Sequence, residues 1–173
     1  SEGEVEFWHL SFQEYLAACE LSRQPDYWSI VQPHLYSDRW AEVVTLLGTR
    51  LRSLHGWRRG GRGYIEKILG MHTRDTSGVP VDRAARARAV AIASRVRHDL
   101  LAYGRDPAEG TAYEVYLGQT LGLFEPDGAD VEESVRVEVA EALGAVGDPR
   151  LLSEQADRVF LPGGEASVRT VPV

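Results

Sequence analysis

The sequence predicts an all-α protein, and three observations carry that expectation. Apolar residues recur at i+3 and i+4 steps through several long stretches, without the alternation a half-buried strand would show. Clusters of glycine and proline separate those stretches, and residues that favour helix starts stand at the head of several of them. Alanine fills many of the inward positions between residues 84 and 93, which implies helices in close approach.

The first helix is signalled by Ser11 and Glu14, which have the S-x-x-E spacing of a capping box and place the first helical residue at Phe12. Leu10 and Tyr15 can close a hydrophobic staple across that start, and Phe12, Tyr15, Leu16 and Cys19 share one apolar face, expected to be buried. Pro25 and Pro33 then punctuate a connector over residues 22–36, with one short helical turn around residues 27–31. A second helix starts at a Ser37 cap and carries Trp40, Val43, Val44, Leu47, Leu51 and Leu54 to a C-terminal cap at Gly56.

Residues 56–63 read Gly-Trp-Arg-Arg-Gly-Gly-Arg-Gly, an RGG-like composition of the kind found in flexible binders of single-stranded nucleic acid. With four glycines it is first of all expected to be a mobile loop. A short helix over residues 64–69 and a polar loop over residues 71–80 follow. Asp82 can cap the next helix, whose core positions are Ala85, Ala89, Ile92, Ala93, Val96, Leu100 and Tyr103, ending at Gly104. Arg83, Arg86, Arg88, Arg95 and Arg97 cover much of its remaining surface. After a turn at residues 105–107, a helix over residues 108–123 would bury Tyr113, Tyr116, Leu117, Thr120 and Leu121, and residues 124–128 break it. Asp130 and Glu133 mark a further box-like start, with Val131, Val135, Val139, Leu143 and Val146 leading to Gly147. Asp148 and Pro149 then restart a helix with a cap and an N1 proline.

Composition sets the bounds. The 173 residues are 43% hydrophobic, enough for a real core. No apolar run approaches a membrane span and no basic-then-apolar leader opens the chain, so a soluble, cytoplasmic protein without membrane contact is expected. Cys19 is the single cysteine, which excludes an internal disulfide and a cysteine-based zinc site and points to a buried, inert thiol. The net charge of −7 conceals an asymmetry: residues 50–105 hold 13 Arg and Lys against 4 Asp and Glu, and the rest of the chain holds 6 against 22. A basic middle can signal nucleic acid, and acidic flanks can equally fold back as its complement.

No catalytic set is present in the sequence. The five histidines are scattered, with no H-E-x-x-H, no G-x-S-x-G and no metal-binding cysteine pair. Neighbouring carboxylates such as Glu132 with Glu133 and Glu138 with Glu141 fit solvated helix faces.

Four stretches carry resemblances, to three families. Residues 7–18, Phe-Trp-His-Leu-Ser-Phe-Gln-Glu-Tyr-Leu-Ala-Ala, resemble the end of the winged-helix region in NACHT-type signalling NTPases of the STAND class. The Trp-x-Glu-Val-Val-x-Leu-Leu series over residues 40–47 is similar to the helix that follows that motif. The resemblance implies an upstream core that binds ATP or ADP with Mg, and a histidine, here His9, whose ring N–H can meet the ADP phosphate. A structural histidine satisfied by local backbone is the alternative. No G-x-x-x-x-G-K-[ST] occurs in the chain, so it is expected to be a segment cut from downstream of an ATPase, with no cofactor of its own. Residues 136–151 resemble a HEAT-type helical repeat, in which Leu-Gly and Gly-Asp-Pro turn one helix into the next, so an irregular α-solenoid is expected, with a compact bundle as the alternative. Residues 158–165, Arg-Val-Phe-Leu-Pro-Gly-Gly-Glu, resemble the opening of a formylglycine-generating-enzyme-like, sulfatase-modifying domain, although Ala166 and Ser167 stand where Met-Gly commonly follows.

The expected organisation is therefore a winged-helix remnant over residues 1–23, a HEAT-like helical region over 24–157 and an extended tail over 158–173. The function these resemblances imply is a non-catalytic interaction and regulatory segment of a NACHT NTPase in signal transduction or defence, facing the upstream nucleotide-binding domain and other protein domains. Two alternatives stand beside it: a nucleic-acid-binding module using the arginine-rich middle, and an enzyme completed by a sulfatase-modifying domain. Arg58, Arg59, Arg62, Arg83 and Arg86 are the candidate partner-binding residues.

Overall fold

The computed structural model describes residues 10–70, 82–128 and 130–148. Among these residues the chain is all-α, with no strand. The residues expected to form the polar loop at 71–80, the helix restarted at Pro149 and the tail from 158 onward lie outside the described residues, as does His9.

Helix α1 (Leu10–Leu21) already includes Leu10 and Ser11, so Ser11 lies inside the helix and does not mark its start at Phe12. The buried face also differs from the expected one. Ala18, Cys19 and Leu21 are buried, whereas Leu10, Phe12, Tyr15 and Leu16 are exposed. The reason is that α1 contributes its C-terminal half to the core and its first two turns stand clear of it. Helix α1 ends as the Ser22 hydroxyl donates to the Cys19 carbonyl at 2.7 Å.

Helix α2 (Tyr27–Val31) is the short turn expected in the connector. Its Tyr27 and Trp28 rings pack on Tyr64, tilted at 6.3 Å and edge-on at 6.1 Å between centroids. Helix α3 (Ala41–Gly56) follows a 3-10 turn at Asp38–Trp40, which Ser37 precedes without donating or accepting a side-chain capping bond. Val43, Val44, Leu47 and Leu51 are buried as their spacing requires, while Leu54, in the final turns, is exposed.

The glycine- and arginine-rich stretch is not a free loop. Gly56, at φ 73°, turns the chain, and Trp57–Arg62 forms a π-helical turn that packs back on α3. Gly60 and Gly61 are buried. A Cβ at Gly60 would overlap the Leu51 carbonyl, so only glycine lets the two backbones approach this closely. The glycines that suggest flexibility in the sequence here make contact possible.

Helix α4 (Gly63–Gly70) buries Tyr64, Ile65, Ile68 and Leu69. The fully buried Tyr64 hydroxyl donates to the Val44 carbonyl at 3.1 Å, and burial raises its pKa far above that of an ordinary phenol, so it stays a donor.

Helix α5 (Arg83–Leu101) is central. Asp82 caps it by accepting from the Ala84 amide at 2.9 Å, as its sequence position requires. Helix α5 contacts α3, α4, helix α6 (Tyr113–Leu121) and helix α7 (Glu133–Val146). Contacts on so many sides bury Ala87, Ala89, Val90, Ala91, Ile92, Ala93, Ser94, Val96 and Leu100. Small residues dominate because bulkier ones would hold the neighbours apart. The crossing with α3 is tightest at Gly48, where a Cβ would lie 2.7 Å from Val96 Cγ1. Tyr103 lies beyond the helix end and is exposed, contrary to its expected core position.

Helix α6 starts at Tyr113, five residues later than its periodicity implies. Gly110 at φ 69° interrupts the expected helix, and Asp106 and Thr111 bind the intervening turn: Asp106 accepts from the Ala108 amide at 2.9 Å and Thr111 donates to the Ala108 carbonyl at 2.7 Å. Tyr113, Leu117 and Thr120 are buried, and the Tyr113 and Ser94 hydroxyls pair at 2.8 Å. Helix α7 buries Val135, Val139, Ala142 and Leu143, and ends at Gly147, φ 92°, as expected. Its cap position is Glu132, without a side-chain bond, in place of the box expected from Asp130 and Glu133. Asp130 pairs instead with Arg83. Ala18 and Leu21 of α1 belong to the same core as the buried residues of α3 to α7.

Two glycine-to-alanine substitutions should therefore have opposite signs. Gly60→Ala forces the π turn off α3 and should destabilise by about 2 kcal/mol or more. Gly144→Ala, in α7 with open space around it, should stabilise by about 0.5–1 kcal/mol through helix propensity. Urea unfolding of both variants checks this, and equal effects would contradict the close approach at Gly60.

Candidate functional site

The arginines of α5 leave the buried helix along two sides. Residues 86 and 97 are eleven apart, and 88 and 95 seven apart, so each pair returns to nearly the same side of the helix. Arg86 and Arg97 meet the α6 side. Arg86 donates to the Gln119 carboxamide and its guanidinium lies 5.4 Å from the Tyr116 ring centroid. Arg97 grips Asp106 with two bonds, 2.9 Å from Nε and 2.6 Å from Nη2, and lies 5.0 Å from the Tyr113 ring centroid. On the other side Arg88 donates to Glu138 of α7 at 3.0 Å, and Arg95 lines a small cleft with Glu138. At the helix start Arg83 meets Asp130 at 2.8 Å.

The basic middle and the acidic C-terminal part thus fold onto each other. The pairs differ in weight. Arg83–Asp130 and Arg88–Glu138 are more than a third exposed and add little to stability through charge alone. Arg97–Asp106 is better enclosed and bidentate, and it fixes the turn that delays α6. The Arg97 hydrogen bond holds the Asp106 carboxyl below its ordinary pKa, with the Ala108 amide acting in the same direction and burial against it. The same bond raises the Arg97 pKa.

The five arginines singled out from the sequence are accordingly separated. Arg62 bonds Glu66 at 2.9 Å and the Gly110 carbonyl at 2.7 Å, tying the π turn and α4 to the turn before α6. Arg83 and Arg86 make the contacts just described and line a groove of about 270 Å3 with Gln119, Thr120 and Leu123. Arg58 and Arg59 are exposed. Around them lie Trp57, read in the sequence only as part of the RGG-like stretch, Tyr103, expected in the core, and Arg52 and Arg105, which sequence reasoning did not select. Arg52 and Arg105 are separated by more than fifty positions, so no local pattern joins them.

The other exposed feature is the start of α1, where Leu10 is 69% and Phe12 62% exposed, with Leu16 beside Phe12 one turn on. Tyr15 is partly covered by the Arg50 guanidinium, 5.8 Å from its ring centroid. Cys19 is a free thiol buried on the inner side of this helix.

Among the described residues no group of three or more His, Cys, Asp or Glu side chains is placed to hold a metal ion, and no helix is long and apolar enough to cross a membrane. The phosphate-binding pattern G-x-x-x-x-G-K-[ST] does not occur in the sequence. No protein-family model, curated protein or solved structure matches this chain.

The Arg97–Asp106 bridge has a pH signature. Because the folded-state pKa of Asp106 is depressed, its contribution is full above the unfolded carboxylate value of about 3.9 and is lost as pH falls through the folded value. Asp106→Asn should cost on the order of 2 kcal/mol at pH 7, and the gap from the wild type should close as the pH is lowered below about 4. Urea titrations across that range test it; a gap independent of pH would show that the carboxylate charge is not what holds the turn.

Proposed function

We propose that this chain is a non-catalytic helical interaction and regulatory segment of a NACHT-type STAND NTPase, acting in the cytoplasm in signal transduction or defence. The observation that carries the reading is the start of α1. The helix that bears the Ser-Phe-Gln-Glu-Tyr-Leu part of the motif leaves Leu10, Phe12 and Leu16 exposed while its second half is anchored in the core. An apolar, solvent-facing helix end joined to a packed body is suited to an interdomain contact.

In this reading the exposed turns of α1 lie against the upstream nucleotide-binding region, and His9, outside the described residues, donates to the ADP phosphate. Helix α1 packs on α3 and α3 on α5, so a change at α1 passes to the helical body through those contacts. The HEAT-like continuation after Gly147, and with it a solenoid, belongs to the same proposal. The enzyme alternative depends on residues 158–173, outside the described residues, and no observation favours it.

Phe12→Asp together with Leu16→Asp should leave the stability of this chain within about 1 kcal/mol of wild type, because both positions are exposed. In the longer protein the same pair should release bound ADP faster and raise basal signalling. His9→Ala should likewise loosen ADP retention and raise basal signalling. A reading frame without Walker A and Walker B motifs upstream of Ser1 would overturn the assignment. Unchanged ADP release in all three variants would remove the proposed contact.

A further inference from the structure

We propose that the end of the helical body formed by Arg52, Trp57, Arg58, Arg59, Tyr103 and Arg105 binds single-stranded nucleic acid. Three segments meet there: the last turns of α3, the π turn, and the turn after α5. The Arg52 guanidinium lies 3.9 Å from the Tyr103 ring centroid and 6.0 Å from that of Trp57, and Arg105 approaches Trp57 to 6.0 Å. Gly104, at φ 83°, turns the chain between Tyr103 and Arg105. Gly61 lies under the cluster, where a Cβ would touch Arg52, Leu100 and Trp57 at 3.7 Å.

Arg62, Arg83, Arg88 and Arg97 have carboxylate partners, while among the described residues Arg52, Arg58, Arg59 and Arg105 form no ion pair. Arg58, Arg59 and Arg105 are exposed, and Tyr103 is 51% exposed. Four arginines without an ion pair are thus gathered at this end. Guanidinium groups beside aromatic faces match a ligand that offers phosphates and unstacked bases together. A duplex hides its base faces, and an acidic peptide offers only the charge, leaving the rings without a partner. The net charge of −7 repels a polyanion at long range, so contact is confined to this end and weakens steeply with salt.

Fluorescence anisotropy of a labelled oligothymidylate of about twelve nucleotides tests the surface. With four arginine contacts the affinity should fall with a log–log salt slope of about −3. Arg58→Glu with Arg59→Glu should weaken binding at least about tenfold, and Tyr103→Ala by about fivefold or more through the lost stacking face. Arg39→Glu, an exposed arginine ahead of the opposite end of α3, should change it by less than about twofold at about 0.1 M salt, where the Debye length is about 10 Å. Circular dichroism of each variant checks that the helices persist. The proposal is overturned by no binding at about 20 mM salt, by an equal loss in Arg39→Glu, or by polyglutamate or a duplex displacing the oligonucleotide as well as a second single strand does.

Discussion

Everything in this helical fold depends on α5 being thin enough to be surrounded. Ala87, Ala89, Ala91 and Ala93 give it a narrow profile, and Gly48 opposite Val96 lets α3 cross it at close range. A helix enclosed on several sides cannot put charged groups wherever it likes. Its arginines emerge only in the gaps between neighbours, and there they meet Gln119, Asp106, Asp130 and Glu138. The position of each arginine is thus set by packing first and by charge second. The enclosed Arg97–Asp106 bridge is where charge matters most, since it also determines the course of the chain before α6.

Much of the helical framework is legible in the residues. The Asp82 cap, the αL glycine at 147, the short turn at Tyr27–Val31 and the buried stripe Val43, Val44, Leu47, Leu51 follow from local chemistry that tertiary packing does not alter. The departures occur where a residue has two chemically reasonable uses. Asp130 can cap a helix or pair with an arginine, and it pairs. Phe12 and Leu16 have the spacing of a buried face yet are exposed, because periodicity reports that a side is apolar and not which elements pack on it. Gly110 carries no signal that outweighs the helical pattern around it until its φ of 69° is seen.

The candidate surface is legible only in part, for a related reason. Composition shows that residues 50–105 are basic, but not which of those charges will be cancelled by residues from the acidic C-terminal part. Arg83 and Arg86 look as available in the sequence as Arg58 and Arg59. Their difference lies in Asp130 and Gln119, more than thirty positions away. Trp57 and Tyr103 likewise come together only through the return of the chain after α5.

The seating of Gly60 against the Leu51 carbonyl has a consequence for affinity. A glycine-rich arginine segment free in solution must surrender much of its backbone entropy, roughly 1–2 kcal/mol per residue, when a ligand orders it. Here the π turn has already given up that freedom on folding, through the contact with α3 that Gly60 permits. Arg58 and Arg59 therefore meet any anion as preorganised donors, with only side-chain rotamers left to fix. The same glycine that lowers the sequence's apparent order raises the efficiency of whatever contact this end makes.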